Sequence, residues 1–379
     1  MKTKFTIFFT ALFFIFLYLS FYPNTSKNQY VKKIKILFPI TFKEKIKESN
    51  LFQKFYVYKL TKEAKKSFSN KKKLRELRKE IIEENILDKE QITFIENSEL
   101  LEKLKTEQSI NSNFRLLGVN FYGTTEYGVL EYADKKTPDN KLFIYIDDHP
   151  TCTYSKKNYA FDSFIKIKKH YSNKGFDFLS LCMSNIAWNS KQVDFPGIDK
   201  NARPMHEIYK NFYDKEYQNK KPLSLMLSGN YYLINKVLNE NKYERVDLVG
   251  LTGGGWYATL LSAVIPEIQK SISWVGTMPI TLRFYLPNKG DWEQEKSKFW
   301  THNDYWDLYY LSTLDKNFQQ SRKHYQVYIE NHKYAFNGPF AKIMKSVSDE
   351  LKNKYFKVIF FSENSRSVDL DTIIPILEK

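Results

Sequence analysis

Short apolar runs alternate with amphipathic stretches over the last two thirds of the chain, and this alternation predicts strands separated by helices. The runs expected to form strands are KLFIYI (141–146), FDFLSLCM (176–183), VDLVGL (246–251), SISWVG (271–276), HYQVYIE (324–330) and FKVIFF (356–361). Helices are expected around 203–215 and 223–239. Short continuous apolar runs are typical of strands that are buried on both faces. The pattern therefore predicts an α/β fold with a doubly wound, mostly parallel sheet and right-handed crossovers.

Two further stretches depart from this strand–helix alternation. The segments 113–121 and 127–134, NFRLLGVNF and YGVLEYAD, predict an antiparallel, hairpin-like pair of strands. The aromatic-rich segment 283–311 lies between two predicted strands. We expect it to form a cap over the carboxyl edge of the sheet, where folds of this class keep their sites.

The N-terminal segment predicts a membrane anchor over residues 1–26. Lys2 and Lys4 precede an uncharged apolar run from Phe5 to Tyr22, near the lower limit of roughly 17–25 residues that span a bilayer. Bulky residues follow the run where a cleaved signal peptide would carry small ones, although a signal peptide stays open as an alternative. The two leading lysines favour a cytoplasmic N-terminus, although lysines also follow the run. We therefore expect a membrane-tethered body on the exported, periplasmic or extracytoplasmic side.

Residues 27–111 form a basic, largely helical region before the predicted α/β domain at 112–379. Within it, the segment 72–86 places four apolar side chains on one helical face, namely Leu74, Leu77, Ile81 and Ile82. A second short helix is expected from Ser98. This region is either a stalk that contacts a membrane surface or a partner, or a pair of helices that packs on its own domain.

Composition narrows the classes of partner. The chain has 59 basic and 43 acidic residues and a net charge of +16, which favours contact with anionic surfaces. No arginine-rich run or nucleic-acid-binding signature is present, so we do not expect a nucleic-acid partner. The two cysteines, Cys152 and Cys182, exclude a disulfide-stapled scaffold. Either one disulfide or two buried thiols is compatible with their positions near strand ends.

One stretch carries a recognisable chemical motif, VDLVGLTGGGWYATLLSA at 246–263. An apolar strand, a glycine-rich turn and an apolar-faced helix follow one another, as in a nucleophile elbow. Gly250 and Gly254 flank the corner, where side chains would collide, and the backbone N–H of Gly253 is a candidate oxyanion donor. Thr252 occupies the position where the motif places a serine.

The segment GLTGGGW at 250–256 resembles the Gly-x-Ser-Gly-Gly-Gly-Trp elbow of exported esterase-like members of the α/β-hydrolase superfamily. The resemblance extends over 112–379, where LCMSNIAWNS at 181–190 is also similar to these proteins. It implies the α/β-hydrolase fold. It also implies that Thr252 stands in the nucleophile position.

The other catalytic residues implied by this resemblance are not matched. His332 lies where the family has its acid, and Glu330 precedes it by two residues. The family histidine would lie within 362–372, yet no histidine follows His332, and the nearest positional match is Arg366, which cannot act as a base. The oxyanion loop reads Asp147-Asp148-His149-Pro150, where the family places His-Gly.

Three functions remain open at this point. The first is a degenerate hydrolase that retains a pocket for an unknown small-molecule or protein ligand. The second is an active esterase-like hydrolase with Thr252 as nucleophile, Gly253 as oxyanion donor and His332 or His149 as base. The third is a structural membrane protein without a useful pocket.

No cofactor is expected, because the turn lacks the glycine spacing of a dinucleotide site. No metal is expected either, since the histidines lack the spacing of a zinc site, and the run 147–149 is the only local cluster. Trp256 either lines a pocket with the other tryptophans or fills the core of the cap.

Overall fold

The computed structural model describes residues 50–106, 110, 112–134, 139–147, 161–184, 189, 223–283, 294, 298–301, 303–330, 336, 339–361, 374–376 and 378. Contacts divide the chain into two compact units, Met1–Tyr56 and Val57–Lys379. The predicted anchor at 1–26 lies outside the described residues. Among the residues that are described, no helix is both long enough and apolar enough to cross a membrane.

Nine described strands form one sheet in the order β1-β2-β3-β5-β4-β6-β7-β8-β9. Their bounds are β1 Thr93–Ile95, β2 Phe114–Phe121, β3 Thr124–Glu131, β4 Lys141–Ile146, β5 Phe176–Leu181, β6 Arg245–Leu251, β7 Lys270–Trp274, β8 Lys323–Ile329 and β9 Phe356–Phe361. The pairs from β5 to β9 are parallel, whereas the pairs formed by β1, β2 and β3 are antiparallel. The prediction of a mostly parallel sheet is confirmed.

The described helices connect or flank these strands. They are α1 Asn50–Ser69, α2 Lys71–Asn85, α3 Ser98–Lys105, α4 Phe161–Asn173, α5 Leu223–Glu240, α6 Gly253–Val264, α7 Ile280–Arg283, α8 Tyr305–Leu311 and α9 Pro339–Leu351. Short 3-10 turns occur at Lys89–Gln91 and Lys298–Thr301. The predicted helix at 203–215 lies outside the described residues.

The predicted hairpin is confirmed as β2 and β3. The two strands are joined by Tyr122 and Gly123, whose φ angles are 49° and 71°. Such a two-residue turn with positive φ at both positions matches the twist of the flanking strands. On its other side β3 pairs with β5, so the hairpin is joined to the parallel part of the sheet.

Helix α2 packs against α5, α6 and α8 within the larger compact unit. Leu74, Leu77 and Ile81 are buried on its inner face, and Ile82 is half-buried. Its N-cap is Asn70, whose side chain accepts a hydrogen bond from the N–H of Lys73. The predicted domain boundary at residue 111 stays a prediction, whereas the contacts group residues 57–379 together.

The described part of the segment expected to form a cap includes helix α8. Every residue of α8 is buried, and the helix packs against α6 and α2. Its N-cap Asp304 accepts a hydrogen bond from the N–H of Tyr305. This helix therefore belongs to the layer beside the sheet, and a cap stays a prediction for the remainder of 283–311.

Candidate active site at the strand–helix corner

Thr252 lies at the corner between β6 and α6 in a strained backbone conformation. Its φ is 44° and its ψ is −106°. A β-branched residue rarely adopts positive φ, because its side chain collides with the backbone. Such strain costs of order 1–3 kcal/mol and persists where the surrounding structure imposes it. The elbow predicted from the sequence is therefore present, with its reactive position occupied by a threonine.

Two glycines allow the helix to approach the sheet closely enough to form this corner. A Cβ atom on Gly250 would collide with the carbonyl oxygen of Gly254. A Cβ on Gly254 would collide with the carbonyl oxygen of Ile146 at the end of β4. The steric role predicted for both glycines is confirmed, because either side chain would force α6 away from the strands.

The backbone of Thr252 is hydrogen-bonded, whereas its hydroxyl is not used by the described structure. Its N–H donates to the carbonyl oxygen of Trp274 at 2.7 Å, and its own carbonyl accepts from the N–H of Trp256 at 3.1 Å. The side-chain Oγ1 is buried and has no hydrogen-bond partner among the described residues. The two backbone hydrogen bonds hold the corner in place.

Gly253 is the first residue of α6, directly after Thr252. The amides of a helix N-terminus point away from the helix body, and the helix dipole adds a partial positive charge there. A developing oxyanion next to Thr252 would be stabilised by such a position. The oxyanion role of Gly253 stays a prediction.

The carboxyl end of β4 lies beside the elbow helix. Asp147 is buried, and its carbonyl oxygen is one of the atoms that a side chain on Gly254 would strike. The N–H of Asp147 donates to the carbonyl oxygen of Leu181 at 3.4 Å. The loop that begins here would contribute to the site, but His149 lies outside the described residues. Its predicted role stays a prediction.

His332, the candidate base, also lies outside the described residues. Of the two histidines whose positions are described, His324 is buried and contacts Ser271 Oγ at 2.7 Å and Gln326 Nε2 at 2.8 Å through its two ring nitrogens. Burial and the nearby Arg322 lower the pKa of His324 to about 3, so its ring is neutral at ordinary pH. Both ring nitrogens of His324 thus contact residues other than Thr252.

The other described histidine, His170, is in α4, and its Nε2 lies 3.3 Å from Glu378. In the part of the chain that the structure describes, no histidine contacts the Thr252 hydroxyl. A histidine base for Thr252 would therefore have to lie outside the described residues, as the prediction for His332 requires.

Trp256 is buried in the first turn of α6. Its Nε1–H donates to the Tyr305 hydroxyl at 3.1 Å, and Tyr305 stacks on Trp300 with ring centroids 4.3 Å apart. The Tyr305 hydroxyl in turn donates to the carbonyl oxygen of Gln294 at 2.9 Å. These aromatic residues fill the space between α6 and α8, and a ligand contact by Trp256 stays a prediction.

A buried carboxyl that the sequence analysis did not single out lies on β3. Glu126 is completely buried, and burial raises the pKa of its carboxyl to about 8. The strand sequence TTEYGVLE gives one signal of this burial. Side chains at alternate positions of a strand share one face, and Glu126 falls on a face that must be covered. That signal is weak, since acidic residues are rarely fully buried unless they are paired.

Cys182 immediately follows β5 and is disulfide-bonded. The sequence contains one other cysteine, Cys152, which lies outside the described residues. Among the described residues, no group of three or more histidine, cysteine, aspartate or glutamate side chains could hold a metal ion.

No family model matches the sequence, and no curated protein matches it. Among solved structures, acetyl xylan esterase 1 from Thermoanaerobacterium sp. JW/SL YS485 aligns with a TM-score of 0.51 at 12% identity, over 80% of this chain and 92% of that chain. Est1E from Butyrivibrio proteoclasticus aligns with a TM-score of 0.41 at 11% identity, over 69% and 96% of the two chains. An esterase from Pyrococcus furiosus gives a TM-score of 0.41 at 11% identity, over 70% and 88%.

The likeness to acetyl xylan esterase 1 extends over most of both chains and agrees with the mostly parallel sheet. At this level of identity the likeness concerns the fold and does not transfer an activity. The chain therefore has the α/β-hydrolase fold, as its sequence predicted.

Proposed function

We propose that this protein binds a carboxylic ester or a related acyl compound at the Thr252 corner and turns it over poorly or not at all. The observation that carries the proposal is the strained conformation of Thr252, with φ 44° and a buried hydroxyl. An elbow of this shape presents one hydroxyl beside the amides of a helix N-terminus. These are groups that recognise a carbonyl oxygen and its carbon.

Poor turnover is inferred from the residues available for proton transfer. A hydroxyl is a weak nucleophile until a base removes its proton. No histidine follows His332 in the sequence, so the position of the family histidine is not filled. The extra methyl of Thr252 also restricts rotation of its hydroxyl toward a base. Binding without efficient chemistry is what this set of residues supports best.

A second candidate is an active esterase, and it is favoured by the Thr252 hydroxyl, which has no hydrogen-bond partner among the described residues. In this mechanism His332 takes the proton of Thr252 as the hydroxyl oxygen attacks the ester carbonyl. The Gly253 amide would stabilise the oxyanion, and the alcohol would leave with the proton returned by His332. Water would then hydrolyse the acyl-threonine and restore the hydroxyl. The esterase activity named for acetyl xylan esterase 1 is compatible with this chemistry.

The test is to measure binding and hydrolysis of p-nitrophenyl butyrate by the full-length protein in detergent micelles. Thr252→Val keeps the shape of the side chain and removes its hydroxyl, so it is the matched variant. We expect ligand-detected NMR to show binding that weakens roughly twofold to tenfold in Thr252→Val, the loss of about one hydrogen bond. Hydrolysis should stay at background in both proteins.

The alternatives give different outcomes in the same measurement. Hydrolysis that is lost in both Thr252→Val and His332→Ala would establish the esterase instead. No binding and no hydrolysis in the wild type would contradict both candidates. Binding that is unchanged in Thr252→Val would place the ligand away from the corner and also reject the proposal.

We further propose that the body is tethered to a membrane on the exported side by residues 1–26. The apolar run from Phe5 to Tyr22 supports the tether. The disulfide of Cys182 supports an oxidising compartment, because such bonds are rare in the cytosol. Carbonate extraction of membranes and protease protection would test this, and a protein recovered in the soluble cytosolic fraction would contradict it.

A further inference from the structure

The outer side of α1 and the first turn of α2 carry a group of exposed basic residues. The two helices are consecutive, because only Asn70 separates Ser69 from Lys71. The group, called the basic face below, consists of Tyr58, Lys62, Lys65 and Lys66 of α1 and Lys71 and Lys72 of α2, and all six residues are exposed. The four positions on α1 follow the spacing i, i+4, i+7 and i+8, so they share one side of the helix.

The opposite side of this part of α1 packs within the larger compact unit. Leu60 and Ala64 are completely buried. The hydroxyl of Thr61 donates to Glu350 Oε2 of α9 at 3.1 Å. Near the end of the helix, the ring of Phe68 stacks on an aromatic ring of α8 with centroids 4.3 Å apart. These contacts set the orientation of the helix, so the basic face is directed away from the sheet and its helices.

The charge of the basic face is not neutralised by its surroundings. Residues 57–75 contain eight basic residues and one acidic residue, Glu63, which is half-buried and lies 3.9 Å from Lys59. Lys72 lies 3.9 Å from Glu76, and both of these side chains are largely exposed. The other four lysines of the basic face form no ion pair with the residues that the structure describes. Because like charges repel one another, an anionic partner would stabilise this face.

The first turn of α2 independently favours an anionic partner. It carries three lysines, at 71–73, and no acidic residue. Positive charge at a helix N-terminus opposes the helix dipole and is unfavourable there. The charge of Lys73 is offset by Asp307, whose carboxylate lies 2.7 Å from its Nζ. Lys71 and Lys72 have no such buried counter-charge, and an anionic group placed against them would be favourable for the lysines and for the dipole alike.

An extended array of phosphate groups fits the basic face better than one compact anion. From Tyr58 to Lys66 the face runs for about 12 Å along α1 and then continues into α2. The side chain of Tyr58 is 68% exposed beside the lysines. Tyrosine is typical of the headgroup level of a bilayer, and lysine stems lie along apolar surface while their ammonium groups contact phosphates. A nucleic acid also offers phosphates, but an exposed aromatic residue among helix-borne lysines favours a lipid surface.

We propose that the basic face docks on the anionic phospholipid surface of a bilayer, with its lysines against the lipid phosphates and Tyr58 at the headgroup level. This inference goes beyond the binding of an ester at Thr252 and does not depend on it. The anchor proposed at 1–26 would hold the face close to the same bilayer. Docking itself is electrostatic, so it does not require a spanning helix. It determines which side of the larger compact unit is turned to the lipid.

The experiment measures the rate at which each lysine of the full-length protein is acetylated, read by mass spectrometry. The protein is presented with nanodiscs of phosphatidylcholine alone or of an equal mixture of phosphatidylcholine and phosphatidylglycerol. We expect the five lysines of the basic face to react about fivefold or more slowly with the anionic nanodiscs, since each lysine near an anionic surface favours docking by about that factor. Salt at about 1 M should restore their reactivity, because it shortens the Debye length to about 3 Å.

Lys103 of α3 is the internal control in the same samples. It is exposed and lies shortly after β1, at the edge of the sheet opposite β9. The basic face lies toward the β9 edge, since the ring of Phe68 contacts that of Phe356 at 6.0 Å. Lys103 should therefore react at the same rate with both kinds of nanodisc.

Two triple variants separate the position of the charges from their number. The first removes three charges of the basic face, and the second removes three exposed charges beside β1 and α3. They are Lys62→Gln/Lys65→Gln/Lys66→Gln and Lys89→Gln/Lys103→Gln/Lys105→Gln. The first should weaken docking by up to about a hundredfold and abolish the protection of Lys71 and Lys72. The second should keep the protection of the wild type.

Tyr58→Trp reports the depth of the face in the bilayer. The fluorescence of the added tryptophan is taken as the difference from the wild type. We expect brominated phosphatidylglycerol in the nanodiscs to quench this fluorescence, because residue 58 would lie at the headgroup level. Nanodiscs of brominated phosphatidylcholine alone should leave it unquenched.

Three results would overturn the proposal. They are equal reactivity of the basic-face lysines with both kinds of nanodisc, equal loss of protection in the two triple variants, and protection by duplex DNA without protection by anionic nanodiscs. The last result would assign the face to a nucleic acid. None of these readouts involves the Thr252 corner. If p-nitrophenyl butyrate does not bind but the basic face is protected by anionic lipid, the proposed function fails and the docking surface stands.

Discussion

At the scale of single residues, Thr252 adopts a backbone conformation that is unfavourable for a threonine. Its positive φ is accessible to glycine without cost, whereas a β-branched residue pays about 1–3 kcal/mol. The Thr252→Gly variant should therefore raise the free energy of unfolding by about 1 kcal/mol. Glycine also gives the unfolded chain more conformational freedom, which opposes this gain by about 0.4–1 kcal/mol. The relief of strain in the folded state is the larger of the two effects. Urea unfolding monitored by tryptophan fluorescence measures the change.

The control is Thr259→Gly, seven residues further along α6. Thr259 has ordinary helical geometry, and its hydroxyl bonds to the carbonyl of Gly255 at 3.1 Å. Glycine there should destabilise the protein, since it weakens the helix and removes the hydroxyl to which Gln326 Nε2 donates at 3.3 Å. Equal destabilisation by both variants would show that the corner is not strained.

The buried ring of His324 gives a second prediction at this scale. Its pKa is lowered from 6.5 to about 3, so the folded state binds fewer protons than the unfolded state between these values. Stability should thus fall as pH drops below about 6.5, with a contribution of up to about 1.4 kcal/mol per pH unit. Urea midpoints of wild type and His324→Gln between pH 5 and 6.5 should converge as pH falls.

His170→Gln provides the comparison for that experiment. His170 is half-buried in α4 beside Glu378 and takes no part in the Ser271–His324–Gln326 contacts. Its variant should follow the wild-type slope. Parallel pH profiles for wild type and His324→Gln would mean that the His324 ring does not limit acid stability. Titration of Glu126 contributes to the stability of both proteins, so its contribution cancels when their urea midpoints are compared.

At the scale of elements, helix α2 is attached to the elbow helix by a buried arginine. Arg78 donates to the carbonyl oxygens of Ala263, Leu311, Leu314 and Asp315 at 2.9–3.1 Å. These carbonyls lie at or beyond the C-termini of α6 and α8, where helical partners are lacking and positive charge is favourable. Burial lowers the pKa of Arg78 to about 10, so it remains charged at neutral pH.

Arg78→Ala should lower the free energy of unfolding by about 3 kcal/mol or more, because several buried carbonyls lose their donor at once. Arg75→Ala is the control on the same helix. Arg75 also lies over the Phe318 ring, at 5.2 Å against 4.5 Å for Arg78, but it is exposed. Chemical unfolding should show a change within about 0.5 kcal/mol for Arg75→Ala. Similar losses for both variants would assign the effect to the aromatic contact.

The strands and the corner were predictable because their signals are local. The run KLFIYI matches β4 residue for residue, and the glycines of the elbow mark the corner. Strand β1 was not predicted, since its three residues are partly exposed and carry no apolar pattern. The burial of Arg78 and of Glu126 was not predicted either. The carbonyl groups that accept from Arg78 are more than 180 residues away along the chain, so the sequence around Arg78 does not indicate its burial.

At the scale of the whole molecule, the disulfide of Cys182 ties the end of β5 to another part of the chain. Cys182 is buried. Its carbonyl oxygen accepts a hydrogen bond from Asn230 Nδ2 of α5 at 3.0 Å, so this contact joins the end of β5 to α5. Cys152 is the only other cysteine in the sequence. A bond between these two would close a loop of about 30 residues and stabilise the folded state by about 3–4 kcal/mol.

This bond predicts how the full-length protein responds to reduction. Under non-reducing conditions thiol titration should find no free cysteine, and peptide mapping should recover Cys152 joined to Cys182. A reductant should lower the melting temperature by several degrees in the wild type and leave Cys152→Ser/Cys182→Ser unchanged. Two free thiols in the folded protein would contradict the prediction. Because disulfides persist in oxidising environments, this outcome would be compatible with the exported location that we propose.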